Sequence, residues 1–168
     1  MSLSMYEASV PVFTRMLTNL SAILKKGEAH AEARGIKPSV LVNDRLAPDM
    51  LPLTSQIQIA TDGAKGCVGR LAGLDIPSYA DEETSFEELQ ARIAKTIAFF
   101  ETIDAAAMEG AQDKSYVIKL RSGDLTFSGR ELLLNFAMPN VYFHITTAYL
   151  ILRHNGVELG KMDFLGNR

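Results

Sequence analysis

Few side chains in this sequence can do chemistry: three histidines, one cysteine, and some amides and carboxylates on helical stretches. His144 stands out. It lies in the block PNVYFHITTAYLILRHNGVELGKMDFLG, residues 139–166. Counting roughly 100° per residue, it sits about 60° from the apolar line Val141, Ile145, Ala148 and Leu152. An imidazole on such an inner flank serves as metal ligand, proton acceptor or satisfied buried donor. A metal pair on one helix needs its second ligand three or four residues on, because only those neighbours share a face. Those positions hold Thr147 and Ala148. His144 therefore reads first as a pocket or structural histidine, with metal ligation as the alternative.

The other groups divide in the same way. His154 follows ten residues later, ~15 Å along the axis at ~1.5 Å per residue. Protonated, it complements the negative end of the helix dipole. His30 lies among Glu28, Glu32 and Arg34 on a solvated face. Gln56, Gln58 and Asp62 flank a core face. Gln58 and Asp62, four apart, are spaced to hydrogen-bond each other. With Thr147 they are candidates to line a crevice at His144; the other reading is an exposed helix flank. Cys67 reads as a small buried hydrophobe. No phosphate-binding glycine loop, nucleophile elbow or carboxylate–histidine metal motif is present.

Four long helices must position these groups. The first is expected over about 5–34, from Tyr6, Val10, Phe13, Leu17, Leu20 and Leu24 at spacings of three and four, with Pro11 inside it. A second runs over about 52–74 on Leu53, Ile57, Ala60, Ala64, Val68 and Leu71. Its opposite face collects Ile59, Gly63, Gly66, Gly69 and Gly73. Interior glycine costs about 1 kcal/mol against alanine, so this smooth face points to close approach of another helix, including one from a second subunit. Ser85 to Glu88 form a capping box that starts the third helix, expected to end near Gly110. The period then changes to two over residues 116–121. With a Ser122-Gly123-Asp124 turn, this predicts a small β-hairpin. A short helix is expected over 129–136. The fourth long helix starts at Pro139-Asn140, stops at Asn155-Gly156 and is apolar nearly all round, which predicts the most enclosed of the four. The tail, residues 157–166, reads as a strap on the bundle.

Composition sets the outer bounds. The 168 residues suit one domain, 1–168, that buries roughly 70% of its unfolded surface. A net charge of −3 with interspersed signs gives no basic stripe for nucleic acid and no polybasic membrane patch. A single cysteine excludes an internal disulfide and fits a reducing compartment. No signal peptide or ~20-residue apolar span is expected, so the cytoplasm is the default.

Two blocks, LAPDMLPLTSQIQIATDGAKGCVGRLAG and YFHITTAYLILRHNGVELGKMDFLG, resemble a bacterial subfamily of the DinB/YfiT-like superfamily, one catalogued as a domain of unknown function. The resemblance covers essentially the whole chain. It implies an all-α four-helix bundle, up-down-down-up, with the hairpin between helices three and four, often as a homodimer. It also implies kinship with metal-dependent thiol-conjugating transferases, whose metal is held by three histidines. One comes from helix two and two stand four apart on helix four. On that pattern His144 matches the first helix-four ligand, Ala148 stands at the second, and Gln56 or Gln58 stands near the helix-two ligand. Three functions follow. One is a bundle without the three-histidine site or cofactor, binding a small ligand near His144. A second is a metal-dependent transferase or hydrolase using a divalent metal at His144. The third is a structural or interaction protein dimerising through Ile59, Gly63, Gly66 and Gly69.

Overall fold

The computed structural model describes residues 3–120 and 123–166. Four long helices carry the fold: α1 (Met5–Ala33), α3 (Leu53–Ala72), α4 (Phe86–Glu101) and α6 (Met138–His154), with short α2 (Pro38–Val42), α5 (Gly129–Glu131) and α7 (Lys161–Leu165). Their stripes meet in one core that includes Phe13, Leu20, Ile57, Phe100, Ile145 and Leu152. Helix directions follow from the contacts. Gln56 meets His144 while Gly63 meets Asn140, so α3 and α6 are antiparallel. Thr61 meets Arg92 and Gly69 meets Phe99, so α3 and α4 are parallel. Ser21 bonds Gln90 while Val10 lies near Phe100, so α1 opposes α4. The bundle is up-down-down-up.

Helix starts follow the capping chemistry. Ser4 and Glu7 form a capping box that starts α1 at Met5, and the helix continues through Pro11. Ser85 Oγ accepts from the Glu88 N–H at 3.2 Å. Glu88 reaches back one residue further than a simple box, accepting from the Thr84 N–H at 2.6 Å. Ser128 and Glu131 form another box and start α5.

Three expectations are corrected. The third long helix ends at Glu101, well short of Gly110. Asp104 accepts from the Ala106 N–H at 3.0 Å and opens a 3-10 turn over Ala105–Met108 instead. The fourth helix has no fresh start at Pro139-Asn140. Helical backbone runs on from α5 through a π-helical segment, Leu132–Ala137, into α6. The π segment ends just before Pro139, which lacks the N–H needed to bond the preceding turn. Finally, α3 is the most enclosed helix, with fourteen of its 20 residues buried. α6 leaves Phe143 57% exposed and Leu150 39% exposed. The small residues of α3 let three neighbours close on it, a property its periodicity does not display.

The hairpin pairs β1 (Ser115–Leu120) with β2 (Gly123–Ser128) antiparallel, Ser115 opposite Ser128. Of the expected turn, Ser122 lies outside the described residues. The tail is a strap: Val157 and Leu159 are buried, Lys26 pairs with Asp163 at 2.7 Å, and Asn19 donates to the Phe164 carbonyl at 2.9 Å. Among the described residues no helix is long and apolar enough to cross a membrane.

Candidate functional site

α3 and α6 bring His144 against Gln56. Gln56 is 2% exposed. Its Nε2 donates to the Leu51 carbonyl at 2.8 Å, which turns its Oε1 towards the seam. That oxygen lies 2.7 Å from His144 Nδ1. An amide oxygen only accepts, so Nδ1 carries the proton and Nε2 keeps its lone pair. Burial holds the His144 pKa below the ordinary histidine value, which favours the neutral ring at physiological pH. The half-buried imidazole meets the exposed Phe143 ring edge to face, centroids 5.2 Å apart. One turn earlier, Asn140 packs over Gly63, its Nδ2 only 3.2 Å from where a Cβ at residue 63 would lie. The seam thus presents one imidazole nitrogen able to accept a hydrogen bond or proton, one amide and one exposed ring. Asn140 was not among the sequence candidates. Its signal was its place four residues before His144, on the same face.

The other crevice candidates go elsewhere, which corrects their grouping with His144. Thr147 Oγ1 donates to the Phe143 carbonyl at 2.8 Å and is spent inside α6. Gln58 and Asp62 do not bond each other. Gln58 Nε2 donates to Glu83 at 3.0 Å, and Asp62 pairs with Lys65 at 2.9 Å and Arg92 at 3.0 Å.

These two belong to a charged cluster between α3, α4 and the loop before α4. Arg92 at its centre is 0% exposed. Its Nε donates to Thr61 Oγ1 at 2.8 Å, and its Nη1 donates to the Ala80 carbonyl at 3.1 Å and to Glu83 at 3.0 Å. Asp81 lies 2.9 Å from Nη1. Tyr79 closes the loop over the cluster, with Lys65 Nζ 3.6 Å and Lys95 Nζ 4.1 Å from its ring centroid. Burial raises the Glu83 pKa, but hydrogen bonds from Gln58 and Arg92 outweigh it and hold the carboxyl below its usual range. Sequence reasoning missed Arg92. The available signal was its place beside Leu89, Ile93 and Thr96 on the buried face of α4, opposite an acidic loop.

The glycine face of α3 is covered by the chain itself. Gly66 and Gly69 are buried. A Cβ at Gly69 would meet Ile76 at 2.7 Å and Phe99 at 3.4 Å, and one at Gly66 would meet the Arg70 guanidinium at 2.8 Å. Gly63 takes Asn140 of α6, while Ile59 stays half-buried. The close partners of these glycines lie within this chain, which removes Gly66 and Gly69 from a surface for a second subunit.

A three-histidine centre does not fit these residues. Ala148 presents a methyl, and the Gln56 oxygen is engaged by His144. Among the described residues no three His, Cys, Asp or Glu side chains converge as metal ligands. His154 Nε2 pairs with Asp44 at 3.1 Å at the far end of α6, and the buried His30 Nε2 faces the turn at Gly156. Cys67 is buried, its thiol pushed up to about 12 by burial, and is inert at neutral pH.

The family model described as Domain of unknown function (DUF1993) matches residues 5–165. The fold is similar to the crystal structure of a DinB family member protein from Shewanella denitrificans. Sequence identity is 44%, the match covers 97% of this chain and 92% of that one, and the TM-score is 0.91. No curated protein matches the sequence.

Proposed function

The chain belongs to DUF1993, a DinB-like domain of unknown function, and on that premise we propose that it is a small-ligand-binding bundle whose site is the His144 edge of the α3–α6 seam. The observation that carries this is the 2.7 Å contact between Gln56 Oε1 and His144 Nδ1. Gln56 is itself anchored on Leu51, so the tautomer is set before any ligand arrives. A neutral imidazole with its Nε2 lone pair unblocked accepts a hydrogen bond from an O–H, S–H or N–H group. Phe143 offers a ring face beside it, and Asn140 adds a donor and an acceptor. A homodimer belongs to the same proposal, now through α6, where Phe143 and Leu150 are exposed seven residues apart. So does a cytoplasmic location, which the buried free thiol of Cys67 favours.

A second reading is a metal-dependent transferase or hydrolase of the thiol-conjugating kind. One observation favours it: metal-bound histidines commonly donate their other ring N–H to a carbonyl, as His144 does to Gln56. Its weakness is that, among the described residues, no co-ligands converge on His144.

One experiment separates the readings. Phenol and zinc chloride are titrated separately into tag-free protein while the backbone amide signals of α3 and α6 around the seam are followed by NMR. The proposal expects saturable shifts with phenol that vanish in His144→Ala, and no stoichiometric zinc. Zinc retained one per chain in wild type and lost in His144→Ala would overturn it in favour of the metal reading. A His144→Ala protein that is less stable, in a chain whose wild type never responds to phenol, would make His144 a core residue only.

A further inference from the structure

A second candidate cavity lies at the other end of the bundle. It measures about 460 Å³ and is walled by Tyr6, Met108, Leu133 and Leu134, with Arg130 and Glu109 also lining it. The separation from the His144 seam is large. Gly129, next to Arg130, packs on Leu71, fifteen residues along α3 from Gln56, or ~22 Å at ~1.5 Å per residue.

Three features single this cavity out. Its volume falls within the roughly 300–1,000 Å³ of small-molecule sites. Counting roughly 30 Å³ per liquid-like heavy atom, it holds an occupant of up to about fifteen non-hydrogen atoms. One wall is the π-helical segment Leu132–Ala137, which buries Leu133 and leaves Leu134 49% exposed beside it. Such wide turns recur at functional sites because they push side chains out of regular helical positions. The third feature is charge. Arg130 and Glu109 line one cavity, yet among the described residues neither makes an ion pair, with each other or with another side chain. A cation and an anion more than 4 Å apart across an apolar space are matched by a ligand that carries both charges on an apolar body.

We infer that this cavity binds an apolar zwitterion of the α-amino acid class, carboxylate on Arg130, ammonium on Glu109, and side chain among Tyr6, Met108, Leu133 and Leu134. A guanidinium takes a carboxylate through two parallel N–H donors, and a carboxylate takes an ammonium. A simple apolar acid would leave Glu109 unmatched, and a simple amine would leave Arg130 unmatched. Phenylalanine, with twelve non-hydrogen atoms, fits the volume and tests both charges.

The test is calorimetric titration of the full chain with L-phenylalanine, 3-phenylpropionate and phenethylamine. L-Phenylalanine is expected to bind saturably. Arg130→Ala and Glu109→Ala should each weaken it at least about tenfold, as should removal of either ligand charge, since a charge-assisted hydrogen bond is lost. Both side chains are exposed, so these variants keep the fold. His144→Ala should leave the binding constant unchanged, which makes this site's outcome independent of the seam's. Absence of saturable binding, equal binding of 3-phenylpropionate or phenethylamine, or indifference to either charge variant overturns the inference.

Discussion

Arg92→Ala is expected to lower the unfolding free energy by about 3–5 kcal/mol, the range for breaking a buried ion pair by removing one partner. The guanidinium is fully buried and uses Nε, Nη1 and Nη2 on Thr61, Ala80, Glu83, Asp81 and Asp62. Alanine leaves a cavity and strips the Glu83 carboxylate, whose side chain is only 8% exposed, of its cation, leaving it the Gln58 amide. Asp81 is exposed and Asp62 partly so, and each adds less. Urea unfolding of Arg92→Ala checks the loss, and adding Glu83→Gln should recover part of it by removing the stranded charge. Acid should act on the same contact. The folded Glu83 pKa lies below its unfolded value, so its contribution is present above about pH 4.3 and is lost as pH falls through the folded value. A loss under about 1 kcal/mol would mean that Arg92 contributes no more than an exposed ion pair.

Gly129→Ala comes next, with an expected cost of about 3 kcal/mol, the upper end of ordinary overpacking. A Cβ at this position would lie 2.0 Å from the Ala111 carbonyl oxygen and 2.9 Å from its carbon. Both atoms are backbone, so nothing can rotate away. The 3-10 turn over Ala111–Asp113 must shift, and with it the Gly129 N–H to Lys114 carbonyl bond of 3.0 Å that joins the hairpin to α5. Gly27→Ala is the control. Its Cβ would meet Leu152 methyls at 2.9 and 3.2 Å, the ends of a side chain that can turn, and alanine's helix gain of about 1 kcal/mol offsets the crowding, so the net change should be under about 1 kcal/mol. Equal costs at the two glycines in thermal unfolding would contradict this account of Gly129.

The bundle was legible because its signals are local and repetitive. Apolar stripes at three and four, the Ser85 cap and the Gly156 stop each act within one or two turns. The hairpin was legible from its change of period. Two element boundaries failed because an apolar period does not show local irregularities. The end of the third helix is decided by Asp104 capping a 3-10 turn, and the long run from Gly129 to His154 by a π segment that pattern reading divides at Pro139. At the site, His144 and Gln56 were both named in advance and are 88 residues apart in sequence but bonded in space. Gln58 and Asp62 were assigned to the wrong cluster, because a helix wheel places a residue on a flank without saying which neighbour covers it. Arg92 was not singled out, because its burial depends on partners from α3 and the loop before α4 that its own helix does not display.

The central claim is that burial keeps His144 neutral and Gln56 fixes its proton on Nδ1, leaving Nε2 unblocked. Nitrogen-15 NMR of the His144 ring, followed through a pH titration, tests it most directly. The account expects a protonated Nδ1, an unprotonated Nε2 and titration below the ordinary histidine value of about 6.5. A proton on Nε2 at neutral pH, or a pKa above that value, would contradict it.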